Sequence, residues 1–211
     1  MILIKKGREP HSLTEHKKLP YASYDNCNKD DIRASLLLEQ GHLCAYCMRR
    51  ITKDHMKIEH WYPESNLDEI RRMDYSNMLG CCEGHKAGCA FKEDTCDTHK
   101  EDTVITLNPT DRNHIAKIKY RTGTGEIYSD DPDIDHDLNV TLNLNCQKQY
   151  LKEDRKAVLD TLKNHLHKKG NLSRADWEKI LKMYNSVNDQ GQMKEYAGIA
   201  IWYINKKLKH I

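Results

Sequence analysis

His42-Leu-Cys44-Ala-Tyr-Cys47-Met-Arg-Arg-Ile-Thr-Lys-Asp-His-Met-Lys-Ile58-Glu59-His60-Trp-Tyr-Pro63 is the stretch on which the reading of the chain turns. Two residues separate Cys44 from Cys47, a spacing that lets both sulfurs reach one ion about 2.3 Å away. A redox Cys-x-x-Cys normally opens a helix after a strand in a thioredoxin-like unit, and no such context surrounds this one. A second pair must then close the site. Cys82 with Cys96 is one choice and Cys82 with Cys89 another, and Cys81 is able to replace Cys82. Four thiolates hold an ion without an open coordination position, which marks a structural Zn²⁺. Six of the eight cysteines lie between Cys44 and Cys96. The Met1-Ile-Leu-Ile-Lys-Lys6 start has its charges in the wrong order for a secretory leader. A cytoplasmic protein with reduced thiols is therefore expected.

Between the two cysteine pairs stand residues suited to phosphodiester hydrolysis. His60 can take a proton from water, because an imidazole titrates near neutral pH. Glu59, with a second donor, can hold a Mg²⁺ or Mn²⁺ that neutralises charge on a phosphate. Trp61 and Tyr62 can stack on a base, although an aromatic beside a strand-end histidine is as often core packing. Arg49, Arg50 and Lys53 can contact phosphates or simply be exposed charge.

The rest of the chain sets the frame. It has 211 residues, a formal charge of +2 and 38% hydrophobic residues, against a norm of roughly 45–50%. Such a shortage invites disorder only when net charge is high, so the chain is expected to fold with help from its cysteines. A helix is predicted over about 30–40, capped by Asp30 or Asp31 and ended by Gly41. Two short strands are predicted around Thr52-Lys-Asp-His55, then a charged loop or short helix at 63–76 and irregular structure at 81–96. A hairpin is predicted around Arg121-Thr-Gly-Thr-Gly125. The Asp130–Asp137 run reads as a solvated loop, lacking EF-hand spacing. Helices are predicted along Leu151–Leu166, after the Ser173 cap, and from Tyr196 to Leu208. The expected class is α+β, with an N-terminal extension (1–30), a metal-stapled core (31–110) and a hairpin plus helical lobe (111–211). Residues 31–110 carry 10 basic and 14 acidic groups, whereas 138–211 carry 14 and 7. The helical lobe is thus the part with charge to spare for phosphates.

Taken together, Cys44-x-x-Cys47, Glu59-His60-x-x-Pro63, Asn77-Met-Leu, Cys82 and Cys96-x-x-x-Lys100 resemble the HNH (ββα-metal) nucleases, in the branch whose zinc is bound by two cysteine pairs. More narrowly, Leu43-Cys-Ala-Tyr-Cys47, Asp74-Tyr-Ser-Asn-Met-Leu79 and Thr141-Leu-Asn-Leu-Asn145 look like the PtuB family, the HNH component of Septu anti-phage systems and of some retron operons. The resemblance implies a ββα-metal core and a Cys44, Cys47, Cys82, Cys96 zinc site. It makes His60 the general base, Glu59 an acidic ligand of the catalytic ion, and Asn77 the residue that fixes the loop behind the base. The family's third letter, a His or Asn after the last zinc cysteine, is here Asp97, with His99 and His85 as nearby substitutes. It further implies a nucleic-acid substrate, DNA or RNA including tRNA, and a PtuA-like ATPase partner. The reading from a different class is a catalytically silent, zinc-stabilised module that binds nucleic acid or protein.

Overall fold

The structure is a computed structural model describing residues 1–211. Helix α1 (His11–His16) precedes α2 (Lys29–Glu39). The cap of α2 is Asn28, not Asp30 or Asp31: its side-chain oxygen accepts from the Asp30 and Asp31 amides at 3.1 and 3.3 Å. That leaves both aspartates in the first turn, where the helix dipole favours negative charge. The helix buries Ile32, Leu36 and Leu37 and stops at Gly41, whose φ is +57°.

The predicted strand pair around Thr52–His55 is corrected by the structure. Only single bridges form there, Leu43 with Arg50 and Thr52 with His55. The turn from 43 to 50 is spent on presenting Cys44 and Cys47, and strand β1 (Lys57–His60) finds its partner much later. Between them lie a charged excursion containing α3 (Glu69–Arg72) and a 3₁₀ turn at Tyr75–Asn77. Each starts on an aspartate cap, Asp68 to the Arg71 amide and Asp74 to the Ser76 amide. Strand β2 (Met78–Cys81) then pairs antiparallel with β1, with His60 opposite Met78 and Lys57 opposite Cys81. Helix α4 (Cys96–Lys100) follows the cysteine-rich stretch.

Beyond it come α5 (Arg112–Ala116) and a second antiparallel pair, β3 (Ile118–Tyr120) and β4 (Ile127–Ser129). The Asp-rich run is not a loop: Asp131 caps α6 (Pro132–His136), and a π-helical turn spans Asp137–Thr141. Its carboxylates are used internally, Asp137 on the Leu107 amide at 2.8 Å and Asp135 on the Ser129 amide at 2.9 Å. The chain ends in α7 (Leu151–Lys169), α8 (Arg174–Asn185) and α9 (Ala197–Leu208). Arg155, on the apolar face of α7, is 1% exposed. It donates to the Gly125 and Leu144 carbonyls and to Asn145 Oδ1 at 2.7–3.0 Å, so the buried guanidinium is satisfied by neutral acceptors. One apolar cluster of 41 buried residues runs from Met1 and Ile4 through Cys44 and Met78 to Ile204. No helix is long and apolar enough to cross a membrane.

Candidate metal centre and active-site cleft

The Cys44, Cys47, Cys82 and Cys96 sulfurs all lie within 4.8 Å of one another, and all four residues are buried. Three of the separations are 3.9 Å (Cys44–Cys96), 3.7 Å (Cys47–Cys82) and 3.7 Å (Cys82–Cys96). A tetrahedral ion with bonds of about 2.3 Å sets its ligand sulfurs about 3.8 Å apart, so the cluster has the dimensions of a Zn²⁺ site. Its electrostatics point the same way. Burial pushes the Cys44 thiol up, but hydrogen bonds from Cys47, Cys81, Cys82 and Cys96 together bring it well below the usual thiol range. Its own thiolate then holds Cys47 and Cys96 well above that range. Four thiolates can coexist in so small a buried volume only around a cation. Cys89 is half-buried and outside this set.

Three elements deliver the ligands. The Cys44 amide donates to Arg49 O at 2.8 Å and the Ala45 amide to Gly80 O at 3.0 Å, which lays the knuckle against β2. Cys82 follows directly at the end of β2. Cys96 stands 14 residues on, at a φ of +58°, with its amide on Leu142 O at 2.9 Å. The long gap is braced from outside: Asn143 Nδ2 donates to Asp94 O at 2.9 Å and Gln149 Nε2 to Glu93 O at 3.1 Å. Gly84 closes it at a φ of +68°, where a Cβ would lie 2.1 Å from Thr95 O.

Beside the cluster, β1 and α4 open onto a cleft of about 440 Å³ lined by Glu59, His60, Glu64, Asp97, Glu101 and Asp102, with Lys57 as the cation at its rim. Glu59 is 5% exposed; its Oε1 accepts from Tyr46 Oη at 3.1 Å and pairs with Lys100 Nζ at 2.8 Å. Burial, then the neighbouring Asp97 carboxyl, push the Glu59 acid up to about 9 against the opposing pull of Lys100. Asp97 Oδ2 lies 3.5 Å from Lys57 Nζ, and both carboxyls line the same cleft.

His60, 4% exposed, donates from Nε2 to the Arg72 carbonyl at 2.8 Å. A carbonyl only accepts, so Nε2 carries the hydrogen and Nδ1 is the basic nitrogen. That nitrogen lies 3.3 Å from Glu64 Oε2, and the ring packs edge-on against Tyr24 at 4.7 Å between centroids. Asn77 grips the chain just after His60. Its Nδ2 donates to Tyr62 O at 3.0 Å, its Oδ1 accepts from the Tyr62 amide at 2.8 Å, and its own carbonyl takes the Trp61 amide at 2.9 Å.

The other sequence candidates lie elsewhere. His99 Nδ1 is bonded to Thr141 O at 3.0 Å and its ring stacks on Phe91; His85 pairs with Asp94 at 2.7 Å. Neither lines the cleft. Arg49 donates to Gln149 O, and Arg50 donates to the Gly41, His42 and Met193 carbonyls. Both therefore tie the knuckle to the C-terminal part of the chain rather than facing solvent as phosphate ligands. Lys53 sits in an exposed pair with Asp30 at 3.0 Å. Sequence reasoning overlooked Glu64 and Tyr46. Tyr46 was visible as one of the two residues between Cys44 and Cys47; nothing in the spacing of Glu64 marks it.

No protein-family model matches the chain. Over 85 residues it is 32% identical to a protein of Vibrio cholerae serotype O1 biovar El Tor whose name assigns it to retron Vc95 as an HNH endonuclease. The aligned part is 39% of this chain and 39% of that protein's length.

Proposed function

We propose that this chain is a metal-dependent HNH endonuclease that hydrolyses phosphodiester bonds in nucleic acid. The observation that carries the reading is that Glu59, His60, Glu64 and Asp97 line one acidic cleft. Such a cleft repels a phosphate unless a cation intervenes, and its residues include the base that hydrolysis needs. Glu59 and Asp97 would hold a Mg²⁺ or Mn²⁺, which supplies positive charge to the phosphate oxygens. Tyr46 Oη and Lys100 Nζ both reach Glu59 through Oε1. His60 Nδ1 accepts the proton of the attacking water, as the water oxygen bonds to phosphorus, the P–O ester bond breaks and the leaving oxygen takes a proton from solvent water. The Arg72 carbonyl fixes the tautomer, and Asn77 keeps the backbone behind the base from shifting. In this reading β1, β2 and α4 are the ββα-metal core, and Cys44, Cys47, Cys82 and Cys96 bind the Zn²⁺ that staples it.

The retron assignment of the similar Vibrio cholerae protein supports a place in anti-phage defence, of the PtuB type by the motifs named above and acting with a PtuA-like ATPase. One observation favours a second reading. Lys100 Nζ already occupies Glu59 Oε1 at 2.8 Å, as it would in a zinc-stabilised binding module that no longer cleaves. One assay separates them. The purified protein, alone and with its ATPase, is incubated with plasmid or total tRNA and Mg²⁺ or Mn²⁺, with His60→Ala as the control. Cleavage that the variant lacks is expected; no cleavage in any mixture, or equal cleavage by the variant, removes the catalytic reading.

A further inference from the structure

Residues 60–63 form a wall with two sides. His60 and Pro63 line the acidic cleft, whereas Trp61 and Tyr62 line a separate groove of about 800 Å³ on the other side. The two hollows have opposite electrostatic character. Lys5, Lys6, Arg71 and Arg112 line the groove, against Asp74 as its one acidic residue. Lys6 is consumed, since its ammonium pairs with Glu39 at 3.0 Å and donates to Met78 O. Lys5 and Arg112 are exposed and face no carboxylate within ion-pair distance; Arg71 has a single 3.5 Å contact with Asp68 and is largely in solvent. Asp74 is turned to its own 3₁₀ turn, accepting from the Ser76 amide and hydroxyl at 2.9 and 2.8 Å.

The aromatic part of the wall is rigid. Trp61 Nε1 donates to Leu107 O at 2.9 Å, and the Tyr62 backbone is held on both sides by Asn77. The Tyr62 ring itself is 39% exposed and is given no hydrogen-bond partner by the fold. An accessible aromatic ring on a held backbone, bordered by uncompensated cations, is the chemistry that binds single-stranded nucleic acid: a base stacks on the ring and phosphates meet the cations.

We propose that this groove grips a single-stranded segment of the substrate next to the cleft, with Tyr62 as the stacking platform and Lys5, Arg71 and Arg112 as phosphate contacts. The choice of ligand rests on the nuclease reading, while the groove's own residues make it separately testable. Because the wall is shared, a strand held in the groove has its neighbouring phosphate directed over residues 60–63 toward the acidic cleft. The grip and the chemistry are thereby divided between a basic and an acidic hollow.

The test is fluorescence anisotropy on the full chain with fluorescein-labelled oligo(dT) and oligo(rU) of about 12 nucleotides, without added divalent cation so that turnover is excluded. Wild type is expected to bind at least one probe, with the comparison of the two arms telling DNA from RNA. Tyr62→Ala is expected to weaken binding about 5- to 100-fold and Tyr62→Phe to restore it. Lys5→Ala/Arg112→Ala is expected to lower the slope of log affinity against log salt by about 1.4, about 0.7 for each cation removed from a single-strand phosphate. Since Asn77 holds only the backbone of Tyr62, these variants should keep the wild-type zinc content and melting temperature. A wild type that binds neither probe, or variants that bind as wild type does, overturns the proposal. Binding that the variants lose, in a protein that cleaves nothing, keeps the groove and removes the nuclease; cleavage with unaltered variant binding does the reverse.

Discussion

Glu59 meets two opposing demands. Burial and Asp97 favour its protonated form, Lys100 favours the carboxylate, and the balance leaves its pKa raised to about 9. A divalent ion must displace that proton, so affinity is expected to rise with pH by up to about tenfold per unit below 9. Titrating Mn²⁺ by its free-ion EPR signal at about pH 6.5 and about pH 8.5 checks this; the rise should be lost in Glu59→Gln, and equal wild-type affinities at the two values would refute it. Stability without the cation has the opposite sign. The folded chain holds a proton that the unfolded one releases, so between about pH 5 and 9 stability falls as pH rises. Urea melts of Glu59→Gln should show a flatter dependence than wild type. At Asn77 the expectation is about 1–3 kcal/mol of destabilisation on change to alanine, because two hydrogen bonds go with the side chain. Asn77→Asp, which keeps the acceptor for the Tyr62 amide, should lose less in the same urea melts. A cost indistinguishable from zero for Asn77→Ala would mean that the clamp is not formed in solution.

At the level of elements, the hairpin and α7 are joined at a point where no side chain fits. Gly125 has a φ of +76°, and a Cβ there would lie 2.2 Å from Lys152 O and 2.9 Å from the Lys156 amide nitrogen. Its carbonyl also accepts from Arg155. Gly125→Ala is therefore expected to cost well over about 1 kcal/mol, read as a lower denaturation midpoint, whereas Gly123→Ala, which meets nothing within 4 Å, should be nearly silent. This junction also marks where the sequence stops being informative. The Arg121–Gly125 turn, the Gly41 stop and the Ser173 cap were legible because each is a local choice of backbone angle or capping group. The Cys-x-x-Cys knuckle was legible from its two-residue spacing. The partner of β1 was not, because the excursion at 61–77 separates it from β2 and no turn signal measures that distance. Spacing alone left Cys96 and Cys89 open; the resemblance chose Cys96, and the structure groups it with Cys44, Cys47 and Cys82. That grouping is made by Leu142, Asn143 and Gln149, which fasten the 84–96 stretch from a distant part of the chain. Arg155 left a trace, a charge on an otherwise apolar helix face, but its acceptors come from loops whose position only the fold supplies.

For the molecule as a whole, the low hydrophobic content becomes a statement about where cohesion comes from. Around the site the β1–β2 pair has four residues per strand and α4 has five, too little regular structure to be stable unaided. The four cysteines join the knuckle, the end of β2 and the start of α4 at one buried point, and a metal bound there contributes to folding directly. Metal analysis of natively purified protein is therefore expected to find about one zinc per chain. Hydrogen exchange locates the effect of removing it. The Ala45 amide on Gly80 O and the Cys96 amide on Leu142 O report the stapled region, while the amides within α8 and α9 report the C-terminal helices. After chelation, or in Cys44→Ser, the first group should lose protection and the second should keep most of its own, because α8 and α9 pack on each other and bury Ile180, Tyr184, Ile199 and Ile204 away from the metal ligands. Near-zero zinc in the native protein would overturn the site, and unchanged protection at Ala45 and Cys96 after the metal is stripped would overturn its structural role.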